Sequence, residues 1–170
     1  MTTTANLAVE NAKAVLNLSR DITLKMIDGI PADKACHRAL PNTNHAIWVL
    51  GHAATTDDYF RTTLGESQTR VTDASWDGLF GGGSTPSDDP SGYPTLDELK
   101  NKAEESRTAF VKWYESLSEE QLTQPLPEGY EFFAPNHAGL ANSVAWHEGL
   151  HAGQLSAIRR DLGLPNAMGM

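Results

Sequence analysis

Apolar residues recur three and four apart along four separate stretches of this sequence, and nowhere do polar and apolar residues alternate over a useful length. That period commits the chain to helices that each bury one face, and such helices must cover one another. The first stretch runs from about Asn6 to Asp28. Leu7, Val9, Ala12, Val15, Leu16, Ile22, Met26 and Ile27 form its stripe, with Glu10, Lys13, Arg20 and Lys25 mostly between them. Gly29 and Pro31 stop it. Pro41 to Asn44 then supply a breaker and capping residues for a second helix reaching about Leu64, ended by Gly65. Its inward stripe takes Ile47 or Trp48, Gly51 or His52, Thr55, Tyr59 and Leu64. Thr95 and Glu98 have capping-box spacing and open a third helix, with Leu96, Leu99, Ala103, Ser106, Phe110, Trp113 and Leu117 as its seam. The fourth helix begins between Asn136 and Asn142 and ends at Gly163, with Arg159 and Arg160 near its negative end.

Residues 65–94 break the pattern. Gly81 to Pro86 and Asp88 to Gly92 have loop composition, although Trp76, Leu79 and Phe80 point to a part that packs down. A connection of that length is more often functional or mobile than idle. Its glycine run has neither a preceding strand nor a following Lys-Ser/Thr, so a phosphate cradle is not expected. Tyr130 to Phe133 reads as a short extended piece. The expected fold is all-α: a four-helix bundle forming one domain over residues 1–170, with a long connection between helices 2 and 3 that leaves the direction of helix 3 open. At 170 residues the chain can bury a core without disulfide staples.

Charge and cysteine content remove several function classes. The formal net charge is -9, and the 13 Lys and Arg are scattered, so no basic stripe exists to hold a nucleic acid. One cysteine, Cys36, allows neither an intrachain disulfide nor a CxxC motif, and it reads as a partly buried small residue in the loop after the first helix. The N-terminal residues lack a basic and apolar leader pattern, and no run approaches the roughly 20 apolar residues of a membrane span. A cytoplasmic protein without a membrane partner is expected.

The histidines carry the chemical signal. Residues four apart on a helix differ by about 40° in direction, so His147 and His151 project from one face, a turn apart. They share that face with Leu140, Val144, Gln154 or Leu155, Ile158 and Leu162, where a helix normally buries only Leu or Ile. A single core histidine is usually satisfied by a hydrogen bond. Two stacked in one apolar stripe need a better reason, since each ring has a donor and an acceptor to satisfy and burial disfavours the charged form. A neutral pair at this spacing suits a divalent metal ion. Two ligands rarely make a tight site, and His52 is the candidate third: it follows Trp48 by one turn, and Gly51 before it would allow a close helix approach. His45 lies near the helix start, where it caps or faces solvent, and His37 and His137 fall in loop or helix-edge positions. Three neutral nitrogens with an open position suit Zn²⁺ or Ni²⁺.

His147 to His151 also match HExxH, the zinc-protease helix in which Glu is the general base. The rest of that pattern is missing. Gln154 and Ala157 stand where a metzincin has its glycine and third histidine, and no Glu follows His151. Glu148 is turned about 100° from His147, along the bundle interface or to solvent. Tyr59, Gln154 and Arg159 lie near the site in sequence but read singly as packing or solvated residues, so no general base is assigned.

Asn44 to His52 (NHAIWVLGH) and Trp146 to Pro165 (WHEGLHAGQLSAIRRDLGLP) resemble the W-x-x-x-H and H-x-x-x-H-x-G-Q-[LI] signatures of the DinB/YfiT-like superfamily of metal-dependent enzymes. The resemblance follows helix order over nearly the whole chain. It implies a four-helix bundle, often a homodimer, whose Zn²⁺ or Ni²⁺ ligands match His52, His147 and His151. It also implies a small-molecule substrate and, in some relatives, a low-molecular-weight thiol such as bacillithiol, mycothiol or glutathione, used in S-transfer or isomerisation. Three classes of function follow: a thiol-dependent transferase or isomerase, a metal-dependent hydrolase of a small molecule, or a metal-binding helical module without turnover. Arg or Lys converging near His52 would favour the first, and a site closed by a fourth protein ligand or filled by packed side chains the last.

Overall fold

The computed structural model describes residues 4–65 and 68–169, with side chains from Leu7 onward. Among these residues it is all-helical and contains no strand: α1 Thr4–Ile27, α2 Ala46–Leu64, α3 Trp76–Phe80, α4 Leu96–Glu115, α5 Glu119–Thr123 and α6 His137–Asp161. The four long helices α1, α2, α4 and α6 make the bundle. Most predicted boundary chemistry is present, but α2 is capped by His45 rather than by a residue of Pro41 to Asn44. Gly29 sits at φ +80 after α1, a left-handed position that suits glycine. Thr95 and Glu98 form both halves of a capping box, and Asn136 caps α6 through Gly139 N. A second capping box, Ser118 with Gln121, starts the one-turn α5. Tyr130 to Phe133 is not extended; Phe133 N bonds back to Tyr130 O at 2.9 Å and closes a turn.

Contacts between named side chains set the topology. α1 packs on α4 and α6, and α2 packs on the same two helices, so α1 and α2 face each other across the bundle. Lys13 pairs with Glu115, and Arg20 reaches Ala103 O, which makes α1 and α4 antiparallel. Arg20 pairs with Glu148, and Arg159 with Met26 O, which makes α1 and α6 parallel. His52 meets His147 and Asn44 meets Gln154, so α2 runs against α6. The order is therefore up, down, down, up, and the 65–94 connection carries the chain back along the bundle to start α4 at the same end as α2.

That return path changes what α2 buries. Asp58 anchors its start, accepting from Val71 N at 2.9 Å, Thr72 N at 2.6 Å and Thr72 Oγ1 at 2.7 Å. Burial pushes the Asp58 carboxyl up, but these bonds and Arg61 outweigh it and hold it below the usual range. Trp76 and Phe80 then bury against α2, and Arg38 ties Asp88 and the Pro86 carbonyl at the far end. Covered on its outer side, α2 is buried at every residue from Ala46 to Thr55 rather than on one stripe. Two expected core positions lie outside. Leu7 is 61% exposed because Lys13 already meets Glu115, the last residue of α4, leaving the first turns of α1 without that cover. Tyr59 is 48% exposed, its place inside taken by Phe60 and Arg61.

The core forms two apolar clusters. One joins Met26 and Ile27, Ala46 to Leu50, Leu99, Leu155 and Ile158; the other joins Leu16, Phe60, Phe110, Tyr114, Leu140 and Val144. Between them each long helix contributes a buried charge to one shared network: Arg20, Asp57, Arg107 and Glu148. Apart from it, Asp58 and Arg61 pair with each other on α2, and Arg159 bonds to backbone carbonyls.

Candidate metal centre

His52 is held from two sides. Its Nδ1–H donates to the Phe80 carbonyl at 2.6 Å, and its ring stacks on Trp48 with centroids 4.4 Å apart. Trp48 is fixed in turn by its Nε1–H, which donates to Ser84 Oγ at 2.8 Å. With the proton on Nδ1, Nε2 keeps a free lone pair. Gly51 does allow a close approach, but of Phe80 in the connection rather than of another helix: a Cβ at Gly51 would meet the Phe80 ring at 2.4 Å.

His151 is oriented in the same manner. Its Nδ1–H donates to Gln154 Oε1 at 3.1 Å, and that oxygen also accepts from Asn44 Nδ2 at 3.1 Å. His147 Nε2 then lies 3.4 Å from His52 Nε2 and 3.2 Å from His151 Nε2. The sequence-predicted trio thus converges, with one nitrogen from each ring inside a group no more than 4.8 Å across. Burial lowers the proton affinity of all three. For His52, burial outweighs the Phe80 bond and, with the other two imidazoles adding to it, brings the pKa to about 4. His147 and His151 are lowered by burial as well, so the trio is neutral near pH 7.

This donor set fits a divalent cation. Two of the three converging nitrogens carry no proton, so only His147 can donate, and only to one of them. A lone pair is left facing its neighbours unless a cation lies between the rings. Neutral imidazoles whose other nitrogen is bonded to a carbonyl are the usual ligands of such an ion. No fourth His, Cys, Asp or Glu joins the group among the described residues.

The open side faces a cleft of about 1010 Å³. Trp48, Phe60, Phe133, Val144 and Trp146 make its walls, with Thr55, Thr56 and Ser143 as scattered hydroxyls. Phe132 and Trp146 stand 91% and 66% exposed at its edge. The Tyr59 hydroxyl shares a 2.8 Å bond with Tyr130, which pushes its pKa up to about 12 and keeps it a neutral phenol. The lining includes no Arg or Lys among the described residues, and its one acid, Asp77, is already paired with Arg70. The cleft is neither filled nor rich in cations.

The remaining histidines do other work. His45 is fully buried and caps α2, accepting from Trp48 N at 3.1 Å while its Nε2–H donates to Ser87 O at 2.9 Å. His37 in the loop after α1 pairs with Asp161, and His137 opens α6. Glu148 cannot be a protease-type base. Burial would raise its pKa, but Arg20 and Arg107 overcome that and bring it to about 2, with both oxygens taken by hydrogen bonds. It points along the bundle interface, the first of its two expected directions. The Phe80 carbonyl and the Asn44–Gln154 pair escaped sequence reasoning, the first because a backbone oxygen has no residue signature.

The family model of the DinB superfamily matches residues 16–155, which contain all three histidines. No curated protein and no solved structure matches the chain.

Proposed function

The chain belongs to the DinB superfamily, and on that premise we propose that it is a metal-dependent enzyme whose His52, His147 and His151 hold one Zn²⁺ or Ni²⁺ ion. The observation that carries the proposal is the convergence of three neutral imidazoles on the open floor of an aromatic cleft. When bound, the ion supplies a Lewis acid that lowers the pKa of a thiol or a water at its open position. The chain's own part is to aim three lone pairs, exclude bulk water with Trp48 and Phe60, and hold an apolar substrate body against the walls.

Thiol-dependent transfer or isomerisation remains the first reading on the family likeness, although no Arg or Lys converges near His52 among the described residues to favour it over hydrolysis. A thiol activated at an ion needs no protein base, and the cleft offers none: Asp77 is engaged by Arg70 and Tyr59 is held as a phenol. The cosubstrate is constrained by the lack of Arg and Lys in the lining among the described residues. A cleft without cations, on a chain of net charge -9, disfavours the carboxylates of glutathione and bacillithiol and favours the carboxylate-free mycothiol.

Metal analysis of the purified wild type and His151→Ala is the first test. About one divalent ion per chain is expected in the wild type, lost in the variant. A wild type prepared without chelator that takes up neither Zn²⁺ nor Ni²⁺ overturns the proposal. The loaded protein is then assayed for conjugation of each of the three thiols to an electrophile, beside ester and amide hydrolysis. Turnover of an ester or amide without any thiol would replace transferase by hydrolase.

A further inference from the structure

Four of the buried charges, Arg20, Asp57, Arg107 and Glu148, form a closed network with one member from each long helix. Glu148 Oε1 accepts from Arg20 Nε at 2.7 Å, and Oε2 accepts from Arg107 Nη2 at 2.6 Å, with Ser19 Oγ 3.1 Å away. Asp57 Oδ2 accepts from Arg20 Nη2 at 3.0 Å and Arg107 Nε at 2.9 Å, and Oδ1 accepts from Arg107 Nη2 at 3.0 Å. Further arginine N–H groups go to the carbonyls of Leu16, Ala53 and Ala103 and to Ser19 Oγ. Two positive and two negative groups cancel, and each is at most 4% exposed.

Such a network is not the cheapest way to fill a core, since apolar residues of similar volume often stabilise as well or better. What it supplies is direction. Planar guanidinium forks accept carboxylates in few geometries, so they fix both rotation and register of the helices they join. Glu148 is the residue after His147 and lies three before His151. Asp57 lies five after His52 on α2. The same two arginines therefore grip both helices that carry the histidines, immediately beside them.

We infer that Glu148 is a positioning residue of the metal site: clamped with Asp57 by Arg20 and Arg107, it sets the rotation and register of α6 against α2 that brings His147 and His151 to His52. The inference rests on the metal-binding reading above. It gives Glu148 in the HExxH string a role other than general base.

The test is titration of the full chain with Co²⁺, read by its ligand-field absorption, with far-UV circular dichroism to establish that each variant is helical. Glu148→Gln is expected to bind Co²⁺ about 10- to 100-fold more weakly and with an altered band, the range for loss of a group that orients ligands. Leu99→Ala is the control. It opens a cavity in the apolar cluster without touching the network, so it lowers stability while leaving affinity and spectrum as in the wild type. Should Glu148→Gln fail to fold, Arg107→Lys keeps the charge but loses the fork, and the same weakening is expected. Wild-type affinity and spectrum in the folded network variant overturn the inference, as does an equal loss in Leu99→Ala. A wild type that takes up no Co²⁺ is a different result, and removes the metal-binding reading itself.

Discussion

Gly51→Ala tests whether the Phe80 carbonyl aims His52. The added Cβ would fall 2.4 Å from Phe80 Cδ1 and 2.5 Å from its Cε1 and Cγ. Carbon atoms settle about 3.5–4.0 Å apart, so the ring must retreat by about 1 Å. Space for that is lacking, because Phe80 is fully buried, stacked 5.5 Å from Tyr93 and edge-on 5.3 Å from Trp76. Overpacking of this kind costs about 1–3 kcal/mol, and replacing glycine by alanine in a helix returns about 1 kcal/mol. The net loss is then about 0–2 kcal/mol, a fall of several degrees at most in the thermal midpoint. The site should suffer more than the fold. Phe80 carries the carbonyl that accepts from His52 Nδ1 at 2.6 Å, so moving the residue unhooks the ring and frees its tautomer. Loss of such a partner weakens metal binding by about 10- to 100-fold. Competition titration with Zn²⁺, beside thermal unfolding of the metal-free protein, separates the two effects. Wild-type Zn²⁺ affinity in the variant would refute the argument, whatever happened to its stability.

Two further outcomes follow from the ring environments. In metal-free protein, burial holds His52 at about 4, whereas in the unfolded chain it titrates near its ordinary 6.5. Between those values the unfolded state binds the extra proton, so the contribution to stability is complete above about pH 6.5 and is lost as the pH falls to about 4. For His52 the loss is about 3 kcal/mol, and the lowered His147 and His151 act in the same direction. Urea unfolding of chelated wild type and His52→Gln across this window should show a shallower pH slope in the variant; parallel curves would exclude the mechanism. Gln154→Ala removes the acceptor that orients His151 at a half-buried position. Zn²⁺ affinity should drop by about tenfold while metal-free stability changes by less than about 1 kcal/mol, and an unchanged affinity would remove Gln154 from the site.

Helix phase and capping chemistry make most of the fold legible in the sequence. Thr95 with Glu98 and Gly29 with Pro31 mark ends that local hydrogen bonding alone decides, and the structure uses them as expected. The direction of α4 was not legible, because it depends on where residues 65–94 lie. Their path is set by contacts far apart in sequence, Asp58 with Thr72 and Arg38 with Asp88. The same path explains why α2 lost its solvent stripe. A periodicity argument assumes one dry face, and the connection gave this helix two.

The site shows a sharper asymmetry. His147 and His151 were found because a polar residue in an apolar stripe needs a partner, and the buried charges satisfy that same criterion. Arg20 sits in phase with Leu16, Thr23 and Ile27, and Arg107 with Ala103, Phe110 and Tyr114, each at spacings of three and four. Glu148 lies four residues after Val144 and four before Ala152, and Asp57 three after Ala54. Each alone reads as a solvated charge, since a long side chain can bend from a stripe to water. Four of them, two of each sign and one on each long helix, have a different meaning. Buried against each other at one level, they specify which layers of the four helices lie side by side, whereas Asp58 and Arg159 are satisfied locally by backbone groups. Charges held in phase with the apolar stripes therefore point to a buried network, although the same pattern also takes in Asp58, Arg61 and Arg159 and does not by itself pair Glu148 with Arg20 and Arg107. Once the pairing is known, His52, five residues before Asp57, falls beside the helix turn that carries His147 and His151.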